Sequence, residues 1–186
     1  MEQSLQGQLL LASPALMDPN FARTVILIVR HTDEEGALGL VLNRPMEMTI
    51  ESVWKQVGEE AECSVDGPLF KGGPCEGPVM VLHGQSDEAQ EQVLPDVFFS
   101  AAKDQIERLV AAGAEPIRVF VGYAGWTDGQ LEREMGEGAW LPLPASAERV
   151  FADPDGMWES LMGFIARMAK LSFVDPKIIP DDPSFN

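Results

Sequence analysis

Two apolar runs, TVILIVRH at 24–31 and ALGLVLNRP at 37–45, constrain this chain more than anything else in it. Both are rich in β-branched and aliphatic residues, and neither alternates as a half-exposed strand does. A strand apolar on both sides needs cover on both faces. Between them stands TDEEG (32–36), a short polar connection ending in glycine and therefore a hairpin signal. Residues 24–31 and 37–43 are expected as adjacent, largely buried antiparallel strands at the centre of the fold.

The other segments arrange themselves around that hairpin. GQLLLAS (7–13) reads as a third strand. TIESVWKQVG (49–58) reads as a helix with Thr49 as N-cap, Ile50, Val53, Trp54 and Val57 on one face, and Gly58 as its stop. PLFKGGP (68–74) and GPVMVLHG (77–84) are short strands around a Gly-Gly-Pro turn, and IRVFVGY (117–123) is a buried strand. VLPDVFFS (93–100) is expected as one edge strand, because Pro95 cannot donate to a central ladder. SAAKDQIERLVAAG (100–113) reads as a helix capped by Ser100, and GAWLPLP (138–144) as extended chain. In DPDGMWESLMGFIARMAKL (153–171), Asp153 is the expected cap and Pro154 the first helical residue. Met157, Leu161, Ile165 and Met168 then form a stripe read as core. The tail from about residue 174, VDPKIIPDDPSFN, is punctuated by proline and read as irregular. Hairpins mixed with helices, without regular βαβ alternation, give an α+β fold, and 186 residues suit one domain over 1–186.

Charge narrows the functions. Thirteen Lys and Arg face thirty Asp and Glu, a net charge of −17, and no run of neighbouring basic residues relieves it. Direct nucleic-acid binding needs a basic face for the phosphates, and an anionic membrane surface makes the same demand. The N-terminal stretch has no basic segment ahead of its interrupted apolar residues, so it is not read as a signal peptide. The longest solid apolar run, Val25 to Val29, is far short of a membrane span. A cytoplasmic protein with no membrane partner is expected. Cys63 and Cys75 are then free thiols. With His31 and His83 they show no CxxC or HxxxH spacing, so no metal and no cofactor is expected.

VGYAGWTDGQLEREM (121–135) turns from a buried strand into a helix. Thr127 and Gln130 fit a capping box, and Glu132 and Glu134 supply the negative charge that a helix start favours. Gly122 and Gly125 permit backbone angles or close approaches that a side chain forbids. No Ser or Cys stands where a nucleophile elbow would place one. The corner is read as scaffold first, with Tyr123 and Trp126 as the aromatics that would make it a contact site.

GQLLLASPAL, FARTVILIVRH, GALGLVLNRP, the GGP at 72–74 and GYAGWTDGQLEREM resemble, in order and spacing, the bacterial AlgH/YqgE family over roughly residues 5 to 175. The resemblance implies a mixed, mainly antiparallel sheet curled into a flattened barrel with helices packed outside. It implies no reaction, and one branch of the family carries the label of transcriptional regulator. Cys75 departs from the aliphatic residue usual after Gly-Gly-Pro.

The candidate ligand- or partner-binding residues are Arg23, Asn43, Arg44, Gly72, Gly73, Tyr123 and Trp126. Arg23 precedes the first hairpin strand and Arg44 closes the second, so antiparallel pairing brings them to one edge. Two guanidiniums with Asn43 beside them suit a carboxylate or phosphate. The alternative is that each pairs with an acid and fixes a loop. His83, at a strand end, has the placement of a general base but no visible orienting partner. No catalytic residue is assigned. The leading reading is a binding or regulatory module acting through a protein or a small anionic ligand. The alternatives are an enzyme acting on an acidic or phosphorylated metabolite and a transcriptional regulator working through a partner protein. Oligomeric state is left open.

Overall fold

The structure, a computed structural model, describes residues 4–32, 34–57 and 63–172. The central hairpin forms as its sequence demands. Strands β1 (Gln8–Ala12), β2 (Val25–Thr32) and β3 (Gly36–Val41) lie side by side and antiparallel, with Leu27 opposite both Leu9 and Leu40. A bulge between Ile28 and Arg30 shifts the hairpin register. Two further antiparallel strands complete this sheet, β10 (Ala124–Trp126) beyond β3 and β11 (Trp140–Pro144) beyond β1.

The second sheet holds β4 (Pro45–Thr49), β5 (Pro68–Lys71), β9 (Ile117–Val121), β6 (Met80–His83), β8 (Val97–Ser100) and β7 (Glu91–Leu94), in that spatial order. Its β5–β9 pair is parallel and its other pairs antiparallel.

Strand alternation explains the unbroken apolar runs. Leu9, Leu11, Val25, Leu27, Leu40 and Leu42 turn to one side and meet Phe70, Leu82, Phe99 and Phe120 of the second sheet. Leu10, Ile26, Ile28 and Val41 turn to the other side, where Leu131 of α3 (Gln130–Gly136) covers them. The outer face of the second sheet is covered by α1 (Ile50–Val57) and α2 (Lys103–Ala111), through Ile50, Ile106, Leu109 and Val110. Val150 of α4 (Ala147–Val150) and Met157 of α5 (Met157–Ser172) join the core between the sheets. The α+β class and the mainly antiparallel pairing agree with expectation, but neither sheet closes into the implied flattened barrel. β11 shows one cause: Pro142 and Pro144 have no N–H to offer a closing neighbour.

The two sheets are stitched at one corner. The chain leaves the second sheet at the end of β9, turns at Gly122 with φ 72° and enters the first sheet as β10. Gly72 sits in the join, donating its N–H to Val121 O at 2.9 Å and accepting from Val41 N at 2.9 Å. A Cβ on Gly72 would lie 2.2 Å from the Gly122 carbonyl oxygen, and one on Gly73 would lie 2.2 Å from the Tyr123 carbonyl. A second tie is Arg118 of β9, which is buried against the Phe70 ring and donates to the carbonyls of Leu42 and Ala152. Burial lowers its pKa to about 10 against the opposing pull of Asp153.

Several local expectations change. Residues 93–100 make two strands, β7 and β8, because Pro95 and Asp96 (φ 61°) suit the central positions of a tight turn. Ser100 caps nothing: it is buried and donates to Glu88 O at 2.7 Å, while α2 begins after Ala102 without a side-chain cap. Thr49 does cap α1, accepting from Ser52 N at 3.2 Å. Asp153 accepts from Asp155 N and shapes a turn, so α5 starts only at Met157. In its stripe Met157 is buried but Met168 is 52% exposed. Gly58 and the tail from 174 lie outside the described residues.

Because the join leaves no space for a methyl group, Gly72→Ala is expected to destabilise the fold by about 3 kcal/mol, at the upper end of single-substitution effects. Chemical denaturation checks this against Gly138→Ala, whose cost should be the smaller one of its left-handed backbone (φ 75°) in open space.

Candidate functional site

The seven candidate residues fall into three places. Arg23, Asn43 and Arg44 share a corner, as strand pairing required. The Asn43 side chain accepts from Val25 N and donates to Arg23 O, both at 2.9 Å. Arg44 donates to Pro19 O at 3.0 Å and Ala22 O at 3.4 Å. Arg23 turns toward α5, pairing with Glu159 at 2.5 Å and stacking on Trp158 at 5.1 Å. The two guanidiniums thus serve different partners, and both hold loops.

Gly72 and Gly73 are buried in the join between the sheets and shape it with backbone alone. Two residues on, past Pro74, Cys75 forms a mutual backbone pair with Tyr123, each N–H to the other's carbonyl at 3.0 Å.

Tyr123 and Trp126 stand at a groove of about 520 Å³. Arg30, Leu38, Cys75 and the exposed Gly125 also line it, with Glu35 and Glu91. The opening stretch of this corner is thus a strand: β10 pairs with β3, Gly125 opposite Leu38. Of its glycines, Gly122 has a positive φ; Gly125 does not, and a Cβ there would meet the Tyr123 ring edge at 3.1 Å and the Cys75 Sγ at 3.7 Å.

Trp126 is 5% exposed and forms the wall of the groove. Its ring stacks on Phe21 at 6.3 Å and meets Trp140 edge-on at 5.8 Å. Glu134 fixes both indoles: one carboxylate oxygen accepts from Trp126 Nε1 at 2.9 Å and Trp140 Nε1 at 2.8 Å. The other accepts from Gln130 Nε2 at 2.9 Å. Burial, the largest single influence, would raise the Glu134 pKa. Hydrogen bonds from Trp140, Gln130 and Trp126, with Arg133 nearby, together outweigh it and hold the pKa below the ordinary carboxylate value. The expected capping box forms only in half. Thr127 N donates to Gln130 Oε1 at 3.1 Å, whereas the N-cap of α3 is Gly129 (φ 65°) with no side-chain bond.

Three ionisable groups of the groove, Arg30, His31 and Glu91, are already engaged. Arg30 pairs with Glu91 at 2.5 Å, and Gln6 donates to the other Glu91 oxygen at 3.1 Å. His31 accepts from Leu5 N on Nδ1 at 2.9 Å, so the proton of its neutral form is on Nε2 and faces Glu132 at 2.6 Å. His83 does not line the groove. It is fully buried, 3.1 Å from Ser100 Oγ, and accepts from Gln85 N; its pKa is lowered, chiefly by burial. Sequence reading missed Arg30, His31 and Leu38 as lining residues. The available signal was RHT, an abrupt polar end to an otherwise solid apolar strand. Among the described residues no group of three or more His, Cys, Asp or Glu side chains is placed to hold a metal. None of the described helices is long and apolar enough to cross a membrane.

Comparison with known proteins is decisive for kinship. The AlgH-like family model matches residues 9–168. This chain belongs to the AlgH-like family. A UPF0301 protein of Chlorobaculum tepidum is 43% identical over 159 residues, covering 82% of each chain. Another, from Thermobifida fusca, is 36% identical over 98% of this chain and 96% of its own. The solution structure of the AlgH protein from Pseudomonas aeruginosa matches with a TM-score of 0.70 at 32% identity, over 94% of this chain and 98% of that one. A Corynebacterium diphtheriae crystal structure matches with a TM-score of 0.69 at 26% identity, over 87% of each chain. In this AlgH-like chain the groove is built on the last motif that carried the resemblance.

Removing the Trp126 indole opens a cavity and strips a donor from Glu134, so Trp126→Ala is expected to cost about 3–5 kcal/mol. Denaturant titration checks it, and an unchanged midpoint would make Trp126 a contact residue rather than a wall. The depressed Glu134 pKa sets a sign as well. Its carboxylate contributes stability that is full above the unfolded value, about 4.3, and is lost as pH falls through the lower folded value. The stability gap between wild type and Glu134→Gln, followed by urea unfolding from neutral to strongly acidic pH, should narrow on acidification.

Proposed function

We propose that this AlgH-like protein is a non-enzymatic binding module of regulatory type, and that its partner is a protein received at the groove beside β10. One observation carries the reading. The groove offers Leu38, Tyr123 and the bare backbone of Gly125 as contact surface, while Arg30, His31, Glu91 and Glu132 are engaged with one another. A shaped surface whose arginine and histidine are already held by carboxylates suits recognition better than proton transfer. The same pairing weakens the small-anion reading, since Arg23, Arg30 and Arg44 all have internal partners.

The enzymatic alternative needs a base beside the arginines, and the fully buried His83 is held by Ser100 and Gln85 instead. A net charge of −17 opposes direct contact with nucleic acid, so an effect on transcription would pass through the protein partner. A cytoplasmic site of action belongs to this reading, supported by two half-buried free thiols, Cys63 and Cys75.

Affinity capture from native lysate tests the proposal, comparing wild type with Leu38→Glu, Tyr123→Ala and the Arg23→Ala/Arg44→Ala pair. Loss of the same protein partners in both groove variants, with retention in the arginine variant, is expected. The opposite pattern would move the site to the arginine corner and restore the anionic ligand. Duplex DNA should show no gel shift with submicromolar protein at physiological salt, and a salt-sensitive shift would bring back direct DNA binding.

A further inference from the structure

Sheets leave edges, and an edge strand with open N–H and C=O groups is a template for another strand. Three of the four edges here are blunted by proline or by side chains laid across them. β11 carries Pro142 and Pro144, β4 begins with Pro45, and β7 runs into Pro95 with Glu91 held by Arg30 and Gln6. β10 is the fourth edge. It has no proline, and the groove runs along it.

Its open groups follow from the register. Tyr123 uses both backbone groups on Cys75, away from β3. Backbone groups in an antiparallel ladder point alternately to the two sides, so Gly125, two residues on, also directs its N–H and C=O away from β3. The Cys75–Tyr123 contact is an isolated bridge and β10 is the terminal strand, so the ladder starts outward and stops after one pair. A side chain at Gly125 would stand on the groove floor beside the Tyr123 ring and the Cys75 thiol. With glycine there, the floor is open to a visiting residue.

We propose that β10 accepts an extended, basic segment of the partner protein as an added strand, continuing the ladder that Cys75 begins. This rests on the groove being the partner site. Main-chain bonds to Gly125 would supply affinity, and alternate side chains would read the groove. A small apolar residue fits over Leu38 and Tyr123. Exposed acids stand around it, Glu35 in the groove lining and Glu76 and Asp128 next in the chain to the lining residues Cys75 and Thr127, so Lys or Arg is the complementary choice for the flanking residues. The same charge disfavours a second copy of this chain, which also carries −17.

The test uses the full chain with a defined probe, a capped heptapeptide alternating Lys and Val, followed by backbone amide NMR. Saturable shifts centred on Gly125, Leu38, Cys75 and Thr127 are expected. N-methylation of the peptide amides that face β10, tried in both registers, should weaken binding at least about tenfold in one register. The matching Glu/Val peptide should not bind. No saturable shift at millimolar Lys/Val peptide, equal binding of both N-methylated forms and the parent, or equal binding of the Glu/Val peptide would each overturn strand addition. So would a wild-type dimer, seen by sedimentation, that Gly125→Arg dissociates. These outcomes leave lysate capture by the groove intact, so failure here is separable from failure of the binding reading.

Discussion

The fold depends on one crossing, where β9 of the second sheet passes through Gly122 and becomes β10 of the first. A strand that changes sheets must bring two backbones closer than side chains allow. Gly72, Gly73 and Gly122 provide that approach, and the hydrogen bonds of Gly72 to both Val41 and Val121 lock it. Once locked, the two apolar faces oppose each other and the core from Leu27 to Phe120 can close. The crossing also leaves β10 short and terminal, which is why the groove opens beside it.

An acidic chain of this kind puts some of its carboxylates to structural use. Glu134 accepts from two indoles and a glutamine, Glu91 holds Arg30 and Gln6, and Glu132 faces His31. These three acids surround the walls of the groove and fix its shape without filling it. A partly buried carboxylate with several donors is a stable anchor while it stays ionised. The groove wall is therefore tied to the charge state of Glu134 in a way that an apolar wall would not be.

Much of the fold was legible because burial writes itself as apolar sequence. Val25 to Val29 is apolar at every position since each face meets its own core, and Thr49 marks the α1 start by a bond it does make. The proximity of Arg23 and Arg44 was legible from strand pairing alone. Their engagement was not, because Glu159 and Pro19 reach them only through tertiary packing. β10 was hidden for a different reason. Ala-Gly-Trp is too short to show a period, and its strand character comes from β3 beside it. The Thr127–Gln130 pattern matched a capping box, yet Gly129 took the cap position, so a local motif yielded to the turn. Glu134 was read only as helix-start charge because its two indole donors lie eight residues before it and six after it.

The glycines around the crossing separate what the fold requires from what it merely permits. Gly122 has a left-handed backbone, and a Cβ on Gly72 or Gly73 would lie 2.2 Å from main-chain atoms, so each is demanded by geometry. Gly125 is under neither demand. Its φ lies outside the left-handed region, it is exposed, and the nearest atom to its missing Cβ belongs to a ring edge that can give. Glycine inside a strand weakens it through backbone entropy and lost packing. A strand of three residues at the edge of a sheet bears that cost for no visible gain in stability. What the bare backbone does provide is space, directly above Leu38 and Tyr123 and next to the unfinished ladder at Cys75. Gly125 is thus the residue at this corner that scaffold alone does not explain, and open access to the strand edge does.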